Sequence, residues 1–149
     1  MQQLVALHKH WCAADAAKLT VGTPIPAQGS ALPDEAVAVA QWYSSLLRLC
    51  VWYALLQVVV EGYVELRLSD AEVDALLADE AMTRALRRFR NAVFHYQHDP
   101  LDRRLLEFLE AKDSERWVHR LHAALGRYFP RVLPMHEILA AVRTAEGHS

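Results

Sequence analysis

Apolar residues recur three and four positions apart along most of this chain and strict alternation is nearly absent, so the pattern predicts helices. A first helix is expected over residues 2–19, with Leu4, Leu7, Trp11 and Ala14 on one face. Residues 21–33, VGTPIPAQGSALP, gather Pro, Gly and small polar residues and read as a long loop. Asp34 and Glu35, just after Pro33, put negative charge at the start of a helix that runs to about Glu65. Between Leu46 and Val60 that helix is apolar on almost every side. Such a helix belongs at the centre of a bundle, or turns one face to another copy of the chain.

Further on, Ser69 and Glu72 have the spacing of a capping box for a short helix from Asp70 to Leu77. Asp79 starts a helix through about Tyr96, with Asp99–Pro100 as its stop. Leu101–Ala111 is a short amphipathic helix, and Ser114 caps one carrying Trp117, Leu121, Ala124, Leu125 and Tyr128. Pro130 and Pro134 punctuate before a last helix over Met135–Ala145. The expectation is an all-α, up-and-down bundle of four to five main helices with short accessory helices. It forms one domain, 1–149: an N-terminal helix (1–20), a loop (21–33), a bundle core (34–130) around the helix 79–96, and a C-terminal helix and tail (131–149).

Composition narrows the options. With 149 residues, 53% of them hydrophobic, the chain is long enough to bury a core without staples. Its net charge of −2 supplies no global basic field, so any nucleic-acid contact must be a local patch. Cys12 and Cys50 lie far apart in apolar helical patterns and read as reduced, buried thiols of a cytosolic protein. The first residues lack the basic start and unbroken apolar run of a signal peptide. The longest uncharged apolar run, Leu49–Val60, has twelve residues between Arg48 and Glu61, too few to span a bilayer. A cytoplasmic protein with no membrane partner is therefore expected.

Chemistry concentrates in ALRRFRNAVFHYQHDP, residues 85–100. Leu86, Phe89, Val93 and Tyr96 make its core stripe, and Asn91 and His95, four apart, stack on an adjacent face. Arg90 stands one step from Asn91, with a stem long enough to bring its guanidinium beside the imidazole. A histidine that titrates near neutrality and a planar arginine fork suit phosphodiester cleavage without a metal. The nucleophile can be the 2′-hydroxyl of RNA, which DNA lacks.

R-N-x-x-x-H near the end of an amphipathic helix resembles the signature of the HEPN superfamily, with Arg90, Asn91 and His95 at its three positions. The bundle over residues 34–130 is similar to the HEPN layout of a long helix, a short one, the motif helix and a closing helix. The resemblance implies a metal-independent endoribonuclease of toxin–antitoxin, phage-defence or RNA-processing type. It also implies a homodimer whose two motifs share one cleft, RNA as substrate, and an antitoxin or regulatory protein as a further partner. One feature departs from the family. Some HEPN toxins carry His-x-Tyr, whereas here Tyr96 follows His95 directly and Gln97 holds the second position.

Plainer readings stand beside these. Arg90 and His95 can be a solvated helix edge, with His95 as a favourable cation at the helix C-terminus. Arg84, Arg87 and Arg88 either bind RNA phosphates, a strip that Arg103 and Arg104 could extend, or pair with acids such as Asp79 and Glu80. His119 and His122 have metal-pair spacing but no third ligand nearby, and His8 and His10 face different ways, so neither a metal nor another cofactor is expected. Trp42, Tyr43, Trp52 and Tyr53 read as core or dimer interface. The functional alternative is a non-catalytic HEPN-like module that binds RNA, a nucleotide or a protein partner.

Overall fold

The computed structural model describes residues 1–24, 32–95, 98–99 and 102–146, and they form an all-helical bundle. Its helices are α1 (Gln2–Thr20), α2 (Asp34–Glu65), α3 (Ala71–Leu77), α4 (Glu80–Phe94), α5 (Arg103–Leu109), α6 (Ser114–Val132) and α7 (Met135–Glu146). Most of the loop expected over 21–33, and Tyr96 of the expected core stripe, lie outside the described residues.

The core is built on the second half of α2. Trp52, Tyr53, Leu56, Val59, Val60 and Tyr63 are buried there against Leu86 and Phe89 of α4, Phe108 of α5 and Leu121, Leu125 and Phe129 of α6. The aromatic rings interlock: Phe89 lies 5.3 Å from Phe108 and 5.8 Å from Tyr53, centroid to centroid. Helix α1 packs across α2 and α6 where each offers a glycine. A Cβ on Gly62 would collide with the Leu7 side chain, and one on Gly126 would sit 2.7 Å from the Trp11 ring. Arg48 on α2 donates to the carbonyl of Thr20 and ties down the end of α1.

Several local expectations are corrected. Asp70, not Ser69, caps α3: its carboxylate accepts from the backbone N–H of Glu72 and Val73, while Ser69 donates to Asp74. A carboxylate at the helix start outcompetes a hydroxyl because it is charged and accepts twice. Helix α6 begins at Ser114, and Asp113 takes the preceding position with φ 64°, left-handed geometry that aspartate tolerates. Pro130 does not end α6, which runs on to Val132, since so near the end only one backbone bond is lost. Cys50 is buried as expected but Cys12 is exposed.

Helix α2 is not buried all round. Its first half leaves Val39, Trp42, Tyr43 and Leu47 exposed, with Leu47 61% open to solvent, and Val51 just beyond continues the stripe. Trp42 and Tyr43 are therefore not core, whereas Trp52 and Tyr53 are. Counting only the uncharged run also understated this helix: Asp34–Glu65 is long and apolar enough to cross a bilayer. Burial in the bundle accounts for the apolarity of its second half. It does not account for the first.

Candidate functional site

Helix α4 is started by Asp79, whose carboxylate accepts from the Met82 N–H at 3.1 Å, and its rotation is fixed by buried Leu86, Phe89 and Ala92. Because α3 is fastened to the end of α2 by the Tyr63 hydroxyl donating to Asp74 at 2.7 Å, α4 starts at that end and doubles back along α2. A helical side chain leans toward its own N-terminus, so Arg90 reaches toward the end of α2. There its Nη2 donates to the carboxylate of Glu61. The same Glu61 oxygen accepts from Gln57 Nε2 at 3.3 Å.

This cluster is only part-sealed. The Arg90 and Glu61 side chains are 26% and 36% exposed, whereas Gln57 is buried. Arg90 Nε and Gln57 Oε1 are buried with no hydrogen-bond partner among the described residues. Glu61 also lines a groove of about 320 Å³ between α1 and α2, beside Gln3, His10 and Glu65. Sequence reasoning missed Glu61 and Gln57. The signal was two polar residues four apart inside an apolar helix, of which Glu61 was read only as the end of the apolar run.

The other motif residues lie elsewhere on α4. At 100° per residue, Arg84, Arg87, Arg88 and Asn91 fall along one outward line, opposite the buried stripe, whereas Arg90 is turned about 100° from it toward α2. Asn91 is half-buried and His95 exposed. The helix ends at Phe94, two residues short of expectation, and His95 follows it in extended backbone (φ −112°, ψ 137°). The expected helical stack of Asn91 on His95 is therefore not formed, because His95 lies outside the helix. The structure brings Arg90 to Glu61 on α2, leaves Asn91 on the outward line and sets His95 just past the end of the helix.

Arg84, Arg87 and Arg88 are exposed and, with Ala81, line a concavity of about 370 Å³. Two of them have acidic partners: Arg84 pairs with Glu80 at 3.1 Å and Arg88 with Glu107 at 3.8 Å. Arg103 and Arg104 turn to Glu107 and Asp102 instead of extending the strip.

His122 is structural in its contacts, and neither thiol is activated. His122 is 2% exposed, its Nδ1 accepts from the Trp52 indole at 3.1 Å, and so its Nε2 carries the proton and donates to Asp15 at 2.9 Å. Burial holds His122 below the usual imidazole range, with Asp15 opposing. Cys12 Sγ lies 3.5 Å from His8 Nε2, but partial burial and then Asp15 hold the thiol above its ordinary value. Burial pushes Cys50 up to about 11. Among the described residues no three His, Cys, Asp or Glu side chains converge as metal ligands. Set against family models, curated proteins and solved structures, the chain matches none.

Proposed function

We propose that this chain is a metal-independent endoribonuclease of HEPN type that works as a cytoplasmic homodimer. His95 is the acid or base, Arg90 the clamp on the charge that develops at phosphate, and Asn91 an orienting group. Arg84, Arg87 and Arg88 guide the RNA backbone toward His95. The observation that carries this reading is the outward line of α4: three exposed arginines lead along one face to Asn91, with Arg90 on the flank and the exposed His95 one residue past the helix end.

The dimer rests on α2. Tyr43 precedes Glu61 by eighteen residues (61 − 43), which is five full helical turns, so the exposed apolar stripe continues the line on which Glu61 meets Arg90. Phe94, beside His95, is also exposed. A second copy packed on this stripe would bring two motifs to one cleft. Leu47→Glu should convert a dimer to a monomer by sedimentation at micromolar concentration and abolish cleavage while the fold persists. A wild-type monomer would remove the shared cleft.

The decisive test is RNA cleavage in EDTA. Cleavage should leave a 2′,3′-cyclic phosphate, and His95→Ala should slow it about 10²–10⁴-fold. Arg90→Lys should not restore what Arg90→Ala loses, because an ammonium is a point charge and not a fork. One observation favours the alternative, a non-catalytic module binding RNA, a nucleotide or a protein: the Arg90 charge is already met by Glu61 of the same chain. If the purified dimer leaves RNA intact, that module is the better reading.

A further inference from the structure

Arginine has two donor edges. Nε and Nη2 form one, and the two Nη groups form the other. In this protein Nη2 of Arg90 donates to Glu61 on α2, while Nε is buried with no hydrogen-bond partner among the described residues. Glu61 is in turn held by Gln57 from one helical turn away. The guanidinium is thereby anchored at Nη2, and Nη1, which has no hydrogen-bond partner among the described residues, is left for an incoming phosphate. A flexible arginine at a helix flank would lose rotamer entropy on each binding event, and a carboxylate behind it removes that loss in advance.

We propose that Glu61, itself braced by Gln57, is the positioning residue of the site, holding Nη2 of Arg90 so that Nη1 meets the RNA phosphate. The inference rests on the ribonuclease reading for its catalytic form. Gln57 has no other evident use: it is a buried amide in an apolar stretch, and its one hydrogen bond goes to Glu61. Glu61 acts through Arg90 and touches no reacting atom.

The test is a double-mutant cycle on Glu61 and Arg90. Glu61→Ala should lower kcat about 10- to 100-fold with little change in KM, the scale of a clamp displaced by about an ångström. In an Arg90→Ala background the same change should have almost no further effect, since nothing remains to position. Glu61→Gln keeps an acceptor and should recover most of the loss. Additive effects in the cycle, or a Glu61→Ala protein with wild-type kcat, would overturn the proposal. A merely structural Glu61 would lower thermal stability and leave kcat per folded molecule unchanged. Binding of a 2′-O-methyl oligoribonucleotide, which lacks the nucleophile, separates this inference from the reading beneath it. If the wild type cleaves no RNA yet binds the analogue with a non-additive Glu61–Arg90 cycle, catalysis fails and the positioning role stands. Additive losses of affinity there would sink the positioning role alone.

Discussion

Helix α2 carries two buried polar groups five residues apart, Trp52 and Gln57, which face opposite ways into different surroundings. Trp52 turns to α1 and α6, where its indole donates to His122, His122 donates to Asp15, and Trp11 donates to the His122 carbonyl at 3.2 Å. None of these donors and acceptors is left over. Gln57 turns to Glu61 and Arg90, where one buried acceptor and one buried donor lack partners. Only one other such atom, on Arg48, occurs among the described residues. A closed network is what a bundle uses to lock helices together. A buried donor without a partner is expensive and rare, and persists where something other than stability holds it in place. The contrast separates a joint from a site.

Breaking the joint should have the largest effect on stability. His122→Ala strands the buried Trp52 N–H and leaves a void, for a loss of about 2–4 kcal/mol by denaturant unfolding. Arg90→Ala should lose less than about 1 kcal/mol, because its partner Glu61 is more than a third exposed and water can take it over. Equal losses at the two positions would erase the contrast between them.

The seat of α1 next to the joint can be probed with its two glycines. Gly126→Ala places a methyl 2.7 Å from the Trp11 ring, which cannot yield without giving up its bond to His122. The expected net loss is about 1–3 kcal/mol, after the helix-propensity gain of about 1 kcal/mol. Gly62→Ala meets only the flexible end of Leu7 and should come out near neutral. If Gly62→Ala were the worse of the two in thermal unfolding, the indole would not be what fixes α1.

Much of this fold is legible in the sequence because amphipathic periodicity reports burial directly: Leu86 and Phe89 of α4, Leu121 and Leu125 of α6, and Leu7 and Ala14 of α1 all fall inside. What periodicity cannot give is which helix lies opposite. Apolar residues continue through both halves of α2, yet Val39, Trp42, Tyr43 and Leu47 of the first half stay exposed. The i, i+3 spacing of His119 and His122 says nothing of Asp15, 107 residues away, which is the partner that His122 meets. At the candidate site, Arg90, Asn91 and His95 stand out as a motif. Glu61 does not, because a lone carboxylate at the end of an apolar run has an ordinary explanation until the fold shows what faces it.

A pH scan sharpens the joint further. The folded His122 titrates below its ordinary 6.5, first through burial and then through the charges of Lys18 and His119, with Asp15 pulling the other way. The unfolded chain therefore takes up the proton before the folded one. Stability should fall as pH drops through about 6.5 and level off below the folded value. His8 is lowered by burial too and adds in the same direction. The melting temperature of His122→Gln should depend less steeply on pH between 7 and 5 than that of the wild type. An unchanged slope would assign the pH dependence to other groups.

The smallest effect expected lies on the outward line of α4, and it concerns salt. Arg84 and Arg88 are already paired with Glu80 and Glu107, so a phosphate that takes either must first displace a carboxylate. Arg87 has no acidic partner among the described residues and can take a phosphate outright. Each phosphate neutralised on single-stranded RNA contributes about 0.7 to the slope of log affinity against log salt. Arg87→Ala should therefore flatten that slope by nearly this amount, with similar losses for every RNA sequence. Arg84→Ala should flatten it by clearly less, because Glu80 already compensates the Arg84 charge in the free protein. Glu80→Gln reverses the logic: releasing Arg84 from its pair should tighten binding at low salt and steepen the slope. If all three substitutions leave the slope unchanged, the arginines of α4 are a solvated face and the proposed RNA contact along them fails.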